Sequence, residues 1–91
     1  MRKNLIAELT VPQEILSEIT PLLNNLAIKS PGETGCIRYD VFRKQETIVI
    51  IETWADAAAL EVHKAQPHFT DVVQFIDDRA LTLTVTELFP L

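Results

Sequence analysis

Apolar and polar positions alternate from Asn4 to Val11, with Leu5, Ala7, Leu9 and Val11 on one side and Asn4, Ile6, Glu8 and Thr10 on the other. A period of two is that of a β-strand. Pro12 then suits the first turn of a helix, where its missing N–H has no partner to lose. From there to about Lys29 the spacing becomes three and four, through Ile15, Leu16, Ile19, Leu22, Leu23 and Leu26. This predicts an amphipathic helix. Pro21 lies inside it, which predicts a kink or local break. Ser30-Pro31-Gly32 ends it.

Gly35 to Arg43 and Thr47 to Trp54 are rich in Val, Ile, Tyr, Phe and Trp and predict a hairpin around Lys44-Gln45. A two- or four-residue loop would set Phe42 opposite Thr47. Ile37, Tyr39, Val41, Ile48, Ile50, Glu52 and Trp54 then share one face, and Cys36, Arg38, Asp40, Val49, Ile51 and Thr53 the other. Asp56 is a helix N-cap for residues 57 to about 65. Gln66-Pro67 interrupts, and Pro67 opens a further helix to about Asp78 with the stripe Phe69, Val72, Val73 and Ile76. A last strand spans Ala80 to Leu88, with Leu81, Leu83 and Val85 opposed to Thr82, Thr84 and Thr86.

The order β-α-β-β-α-α-β contains a split βαβ pair. It predicts an α+β, ferredoxin-like fold: a four-stranded antiparallel sheet with helices on one face, over residues 1–91 as a single domain. The second face of the hairpin still carries Val49 and Ile51. A sheet with one wet face has no need of them, so packing against a second copy is expected.

Composition narrows the function. Of 91 residues, 47% are hydrophobic, enough for a core and a subunit interface, and the net charge is −5. An acidic chain with scattered Lys and Arg disfavours nucleic acid. No apolar run approaches a membrane span, and the strand after Met-Arg-Lys-Asn is too short for a signal-peptide core. One cysteine, Cys36, precludes an internal disulfide. A cytoplasmic protein without nucleic-acid or membrane partners is expected.

The run Glu33-Thr34-Gly35-Cys36-Ile37-Arg38-Tyr39 is followed by Glu52-Thr53-Trp54-Ala55-Asp56, then Ala59-Leu60, His63 and Pro67-His68-Phe69. As a set, E-x-G-C-x-x-Y, E-x-W-x-D, A-L, H and P-H-F resembles the antibiotic biosynthesis monooxygenase family, also called quinol monooxygenase-like. The resemblance implies a dimeric α+β barrel with a ligand cavity between sheet and helices in each subunit. It implies one of several chemistries: cofactor-independent oxygenation of phenols or quinols, haem degradation, or isomerisation of a phosphorylated signalling sugar. In the haem-degrading branch a proximal histidine occupies the position that aligns with Val73. Valine cannot ligate iron, so haem is not expected.

His63 and Glu52 are the candidate catalytic residues. His63 follows Leu60 by three and falls near the inward face of its helix. A free imidazole titrates at about 6.5, so it can exchange protons near neutrality; the plainer alternative is a half-buried histidine bonded to the backbone. Glu52 is a carboxylate on an apolar face, costly unless bonded; it is a proton acceptor, or a structural partner of Tyr39, Arg38 or the backbone. Tyr39, Trp54, His68 and Phe69 are candidates for substrate binding, against simple packing for the aromatics and a rim position or surface exposure for His68. No carboxylate or cysteine is expected to converge with His68, so no metal site is predicted. No nucleotide or flavin fingerprint is present. The expected activity is cofactor-independent oxygenation of a small phenol or quinol by a homodimer. The alternatives are a sugar-phosphate isomerase, with Arg38 and Lys64 as the nearby cations, and a non-catalytic binding dimer.

Overall fold

The computed structural model describes residues 1–91. The regular elements are β1 (Lys3–Thr10), α1 (Leu16–Lys29), β2 (Cys36–Lys44), β3 (Thr47–Trp54), α2 (Ala57–Lys64), α3 (Pro67–Asp78) and β4 (Leu83–Leu88). The strands lie in the order β2-β3-β1-β4, and every neighbouring pair is antiparallel. This is the ferredoxin-like arrangement, with the helices on one face.

Pro21 does not break α1. The break lies upstream, where Gln13–Ile15 form a 3₁₀ turn and Ile15 sits at φ −112°, ψ 1°. Pro21 and Ser17, whose carbonyl loses a donor to the proline, are both exposed. Water can therefore take over that carbonyl. Asp56 caps α2 as expected, its Oδ1 accepting from the Ala59 N–H at 2.8 Å. β4 begins later than expected. Arg79, Ala80 and Leu81 donate back to Phe75, Asp77 and Ile76, so these residues close the end of α3 before the strand can start.

The hairpin turns at Gln45-Glu46, with Gln45 at φ 54°. Lys44 therefore faces Thr47, and Phe42 faces Val49 rather than Thr47. The shift is two residues, so each side chain keeps its face. A register irregularity between Cys36 and Arg38 does exchange a pair: Cys36 lies opposite Trp54 and packs on the core, while Ile37 is 48% exposed. A bulge inserts one extra residue and so reverses the alternation on one side of it.

On the helix side of the sheet, Ala7, Leu9, Ile48, Ile50 and Trp54 are buried against Ile19, Leu23 and Leu26 of α1 and Val72 and Ile76 of α3. Each fully buried aliphatic contributes roughly 1.5–3 kcal/mol relative to exposure. Leu83 and Val85 of β4 pair with Leu9 and Ala7 and so point to the same side, yet they are 41% and 56% exposed. The helices cover the middle of the sheet and leave this edge open. On the opposite face Ile6, Val49 and Ile51 are half-buried, and Phe42 and Leu88 are exposed. No helix is long and apolar enough to cross a membrane.

Candidate functional site

A cavity of about 110 Å³ lies between the inner sheet face and helices α2 and α3, and 14 of its 17 lining residues are hydrophobic. That is of the same order as, though below, the roughly 150 Å³ of an apolar cavity known to admit benzene. Leu83 and Val85 stand among the lining residues at the uncovered edge of the sheet. The three that are not hydrophobic are Glu52, His63 and Lys64, and Tyr39 among the hydrophobic ones adds a phenol hydroxyl.

The approach of α2 to the sheet depends on Gly35. It sits at φ +83°, and a Cβ there would lie 2.5 Å from that of Ala59. Its carbonyl also accepts from the Ala55 N–H at 2.7 Å. The glycine thus brings the first turn of α2 against the start of β2, and the next turns carry Leu60 and His63 to the cavity.

His63 is 1% exposed and packs among aromatic rings. Its centroid is 4.5 Å from Trp54, 5.4 Å from Tyr39 and 5.0 Å from Phe69. Its Nδ1 is 2.6 Å from Oε2 of Glu33, and Nε2 of His68 is 2.8 Å from that same oxygen. Nε2 of His63 is buried without a hydrogen bond. It is the ring nitrogen that Glu33 leaves free, on a residue of the cavity wall.

Glu33 is not among the site residues that the sequence predicts. It leads the E-x-G-C run, but only the fold joins the segment after α1 to α2 and α3. A carboxylate therefore does converge with His68, contrary to expectation. His68 is also neither at the cavity rim nor on the surface: it is buried beside Glu33 and does not line the cavity. Glu33, His63 and His68 each offer a metal-ligating atom, all within 4.8 Å of one another. Two histidines and a carboxylate are a set that zinc accepts. Zinc ligands at ~2.0–2.1 Å in a tetrahedron stand about 3.3 Å apart, whereas the separations to Oε2 are 2.6 and 2.8 Å. These are hydrogen-bond distances.

Glu52 lines the cavity and faces Tyr39 directly across β2 and β3. Its partner is Trp54, whose indole N–H donates to Oε1 at 2.8 Å. Burial raises the Glu52 carboxyl above the ordinary carboxylate range; the Trp54 bond, His63 when protonated, and the charge of Lys64 oppose this only in part. Burial, reinforced by the negative charge of Glu52, likewise pushes the Tyr39 phenol well up. Tyr39 is thus a hydrogen-bonding group here, not a base. Trp54 is wholly buried behind the cavity and supports Glu52 and His63, while Phe69 and Val73 are on the wall. Arg38 is exposed on the far side of the sheet and bonded to Asp40.

The raised carboxyl has a consequence for stability. Between the unfolded and the higher folded value, the native state binds more protons than the unfolded one. Stability from this group is therefore present at acid pH and lost as pH rises through the folded value. Glu52→Gln keeps an oxygen for the Trp54 N–H and removes the charge. Urea unfolding should find the variant more stable than wild type near pH 7, with the difference shrinking near pH 4. A variant less stable at neutral pH would contradict the desolvation argument.

The fold and the cavity define a small ferredoxin-like protein with an apolar site open at one sheet edge and a buried cluster of Glu33, His63 and His68 beside it. A model of the antibiotic biosynthesis monooxygenase family matches residues 4–74, and the chain belongs to that family. It is similar to the Bacillus subtilis (strain 168) protein named "Putative monooxygenase YcnE", at 36% identity over 64 residues. That match covers 67% of this chain and 63% of the relative's length. Among solved structures, an antibiotic biosynthesis monooxygenase superposes with a TM-score of 0.80 at 32% identity, covering 99% of this chain and 100% of the other. The Pseudomonas aeruginosa protein PA3566 superposes with a TM-score of 0.87 at 28% identity, covering 99% and 94%.

Proposed function

We propose that this protein is a cofactor-independent monooxygenase that oxidises a single-ring phenol or quinol, working as a homodimer in the cytoplasm. The observation that carries the reading is the unpartnered Nε2 of His63, a residue of the wall of a small apolar cavity. Nε2 takes the proton of the substrate hydroxyl. The resulting anion is electron-rich enough to pass an electron to O2, and recombination forms a carbon–oxygen bond. For a hydroquinone, one oxygen atom stays on the ring, the other leaves as water, and the substrate supplies all four electrons to give a hydroxyquinone. The protein supplies a base, orientation and a dry site. Tyr39 and Glu52 orient the substrate oxygen.

The family includes other chemistries, and the site favours this one. A phosphorylated sugar would need cationic groups. Lys64 is the one cation on the wall and lies 3.7 Å from Glu61, while Arg38 lies outside the cavity. Val73 stands on the wall without a donor for haem iron.

Oxygen uptake by the purified protein with a panel of substituted hydroquinones tests the proposal. Consumption of one O2 per quinol, without added flavin or metal, is expected. Tight ligand binding with no uptake from any member would favour a binding module instead. Uptake that needs added flavin would also defeat the reading.

A further inference from the structure

We propose that Glu33 is a positioning residue: it holds the His63 proton on Nδ1, so that Nε2 is left a bare acceptor on a residue of the cavity wall, and His68 anchors Glu33 for this task. The inference rests on the reading of His63 as the base.

The geometry carries it. A carboxylate oxygen only accepts hydrogen bonds. Oε2 of Glu33 has two imidazole nitrogens at 2.6 and 2.8 Å, so His63 Nδ1 and His68 Nε2 both donate to it. A neutral imidazole carries one proton. Placing it on Nδ1 of His63 leaves Nε2 with its lone pair, and Nε2 has no protein partner. The opposite tautomer would set a bare Nδ1 against a carboxylate oxygen, with two lone pairs facing each other at 2.6 Å.

His68 has no other evident task. It is buried, does not touch the cavity, and its one side-chain hydrogen bond goes to Glu33. The carboxylate needs such an anchor because its second oxygen, Oε1, is buried with no partner. Without His68 it could turn to exchange its two oxygens and release Nδ1. The three residues come from three segments, the loop before β2, α2 and α3, so the cluster also sets how the helices sit behind the ring. When His63 takes a substrate proton it becomes an imidazolium, and Glu33 already stands against its other edge. The arrangement is the logic of a carboxylate orienting a catalytic imidazole, here with a second imidazole tying the carboxylate down.

The test begins without any substrate. Long-range ¹⁵N–¹H correlation spectra of the ¹⁵N-labelled protein assign the proton on each imidazole. The expected result for wild type is His63 protonated on Nδ1 with Nε2 bare, and His68 protonated on Nε2. A His63 protonated on Nε2 alone would overturn the inference, whatever the activity. Glu33→Gln keeps the shape and removes the charge. Its amide can donate as well as accept, so His63 should become a mixture of tautomers. With a quinol as substrate, kcat should fall on the order of 10²-fold or more while KM stays within about threefold. Glu33→Asp should recover part of the loss. A folded Glu33→Gln with an unchanged tautomer and full kcat would sink the proposal; if that variant does not fold, the wild-type spectrum and Glu33→Asp decide. The expected tautomer together with full activity of a His63 variant would instead defeat the choice of His63 as base and leave the positioning of its ring standing.

Discussion

Turnover of the His63→Ala variant is expected to fall by roughly 10²–10⁴, the usual cost of removing a positioned base. The ring is 1% exposed and packs against Trp54, Tyr39 and Phe69. Alanine therefore also opens a void and leaves Glu33 with His68 alone, which costs stability. His63→Phe is the necessary companion, because it refills the space without a proton acceptor. Both variants should lose turnover alike, and both should lose the acid limb of the pH–rate profile that a base produces. Glu52→Gln separates the two candidates for that base. Loss of activity in Glu52→Gln, with the His63 variants nearly intact, would make the carboxylate the base.

The Ile51→Asp variant should be monomeric at concentrations where the wild type is a dimer. Ile51 stands on the uncovered face of the sheet, near half-buried Ile6 and Val49, and its cross-strand partner is Asp40. A buried unpaired carboxylate at a subunit interface costs on the order of 3–5 kcal/mol. The like charge opposite adds to that. Sedimentation velocity should give twice the chain mass for wild type at micromolar concentration and the chain mass for the variant. A wild type that stays monomeric, or a variant that still dimerises, would remove the face-to-face packing of sheets from the proposal. Thr84→Asp on the edge strand is a useful control for proximity to the interface centre, and its effect should be smaller.

The strands and helices were legible because each writes a local period into the chain. Leu5, Ala7 and Leu9 alternate as only a strand requires, and Val72 and Ile76 repeat as a helix requires. The hairpin faces were recoverable even though the turn falls at Gln45-Glu46, since a shift of two residues preserves the alternation. Local period does not report an inserted residue, so the exchange of Cys36 and Ile37 at the bulge was not legible. Nor was the continuity of α1 through Pro21. That depends on whether the carbonyl four residues before it faces solvent, which is a tertiary matter.

The site divides in the same way. Sequence alone set the element order, the apolar helix side of the sheet and the family-like motifs, and with them His63 and Glu52 as residues near a cavity. The elements follow from side-chain chemistry and from spacing within a single segment, and the cavity is what the family resemblance implies. Tertiary structure alone decided that Glu33 lies against both His63 and His68, that Trp54 supports Glu52 from behind, and that His68 is buried away from the cavity. Glu33 and His63 are 30 positions apart and Glu33 and His68 are 35 apart. No local periodicity relates residues at such distances. They meet because Gly35 lets α2 approach the start of β2 and because α3 packs beside α2 on the same face of the sheet.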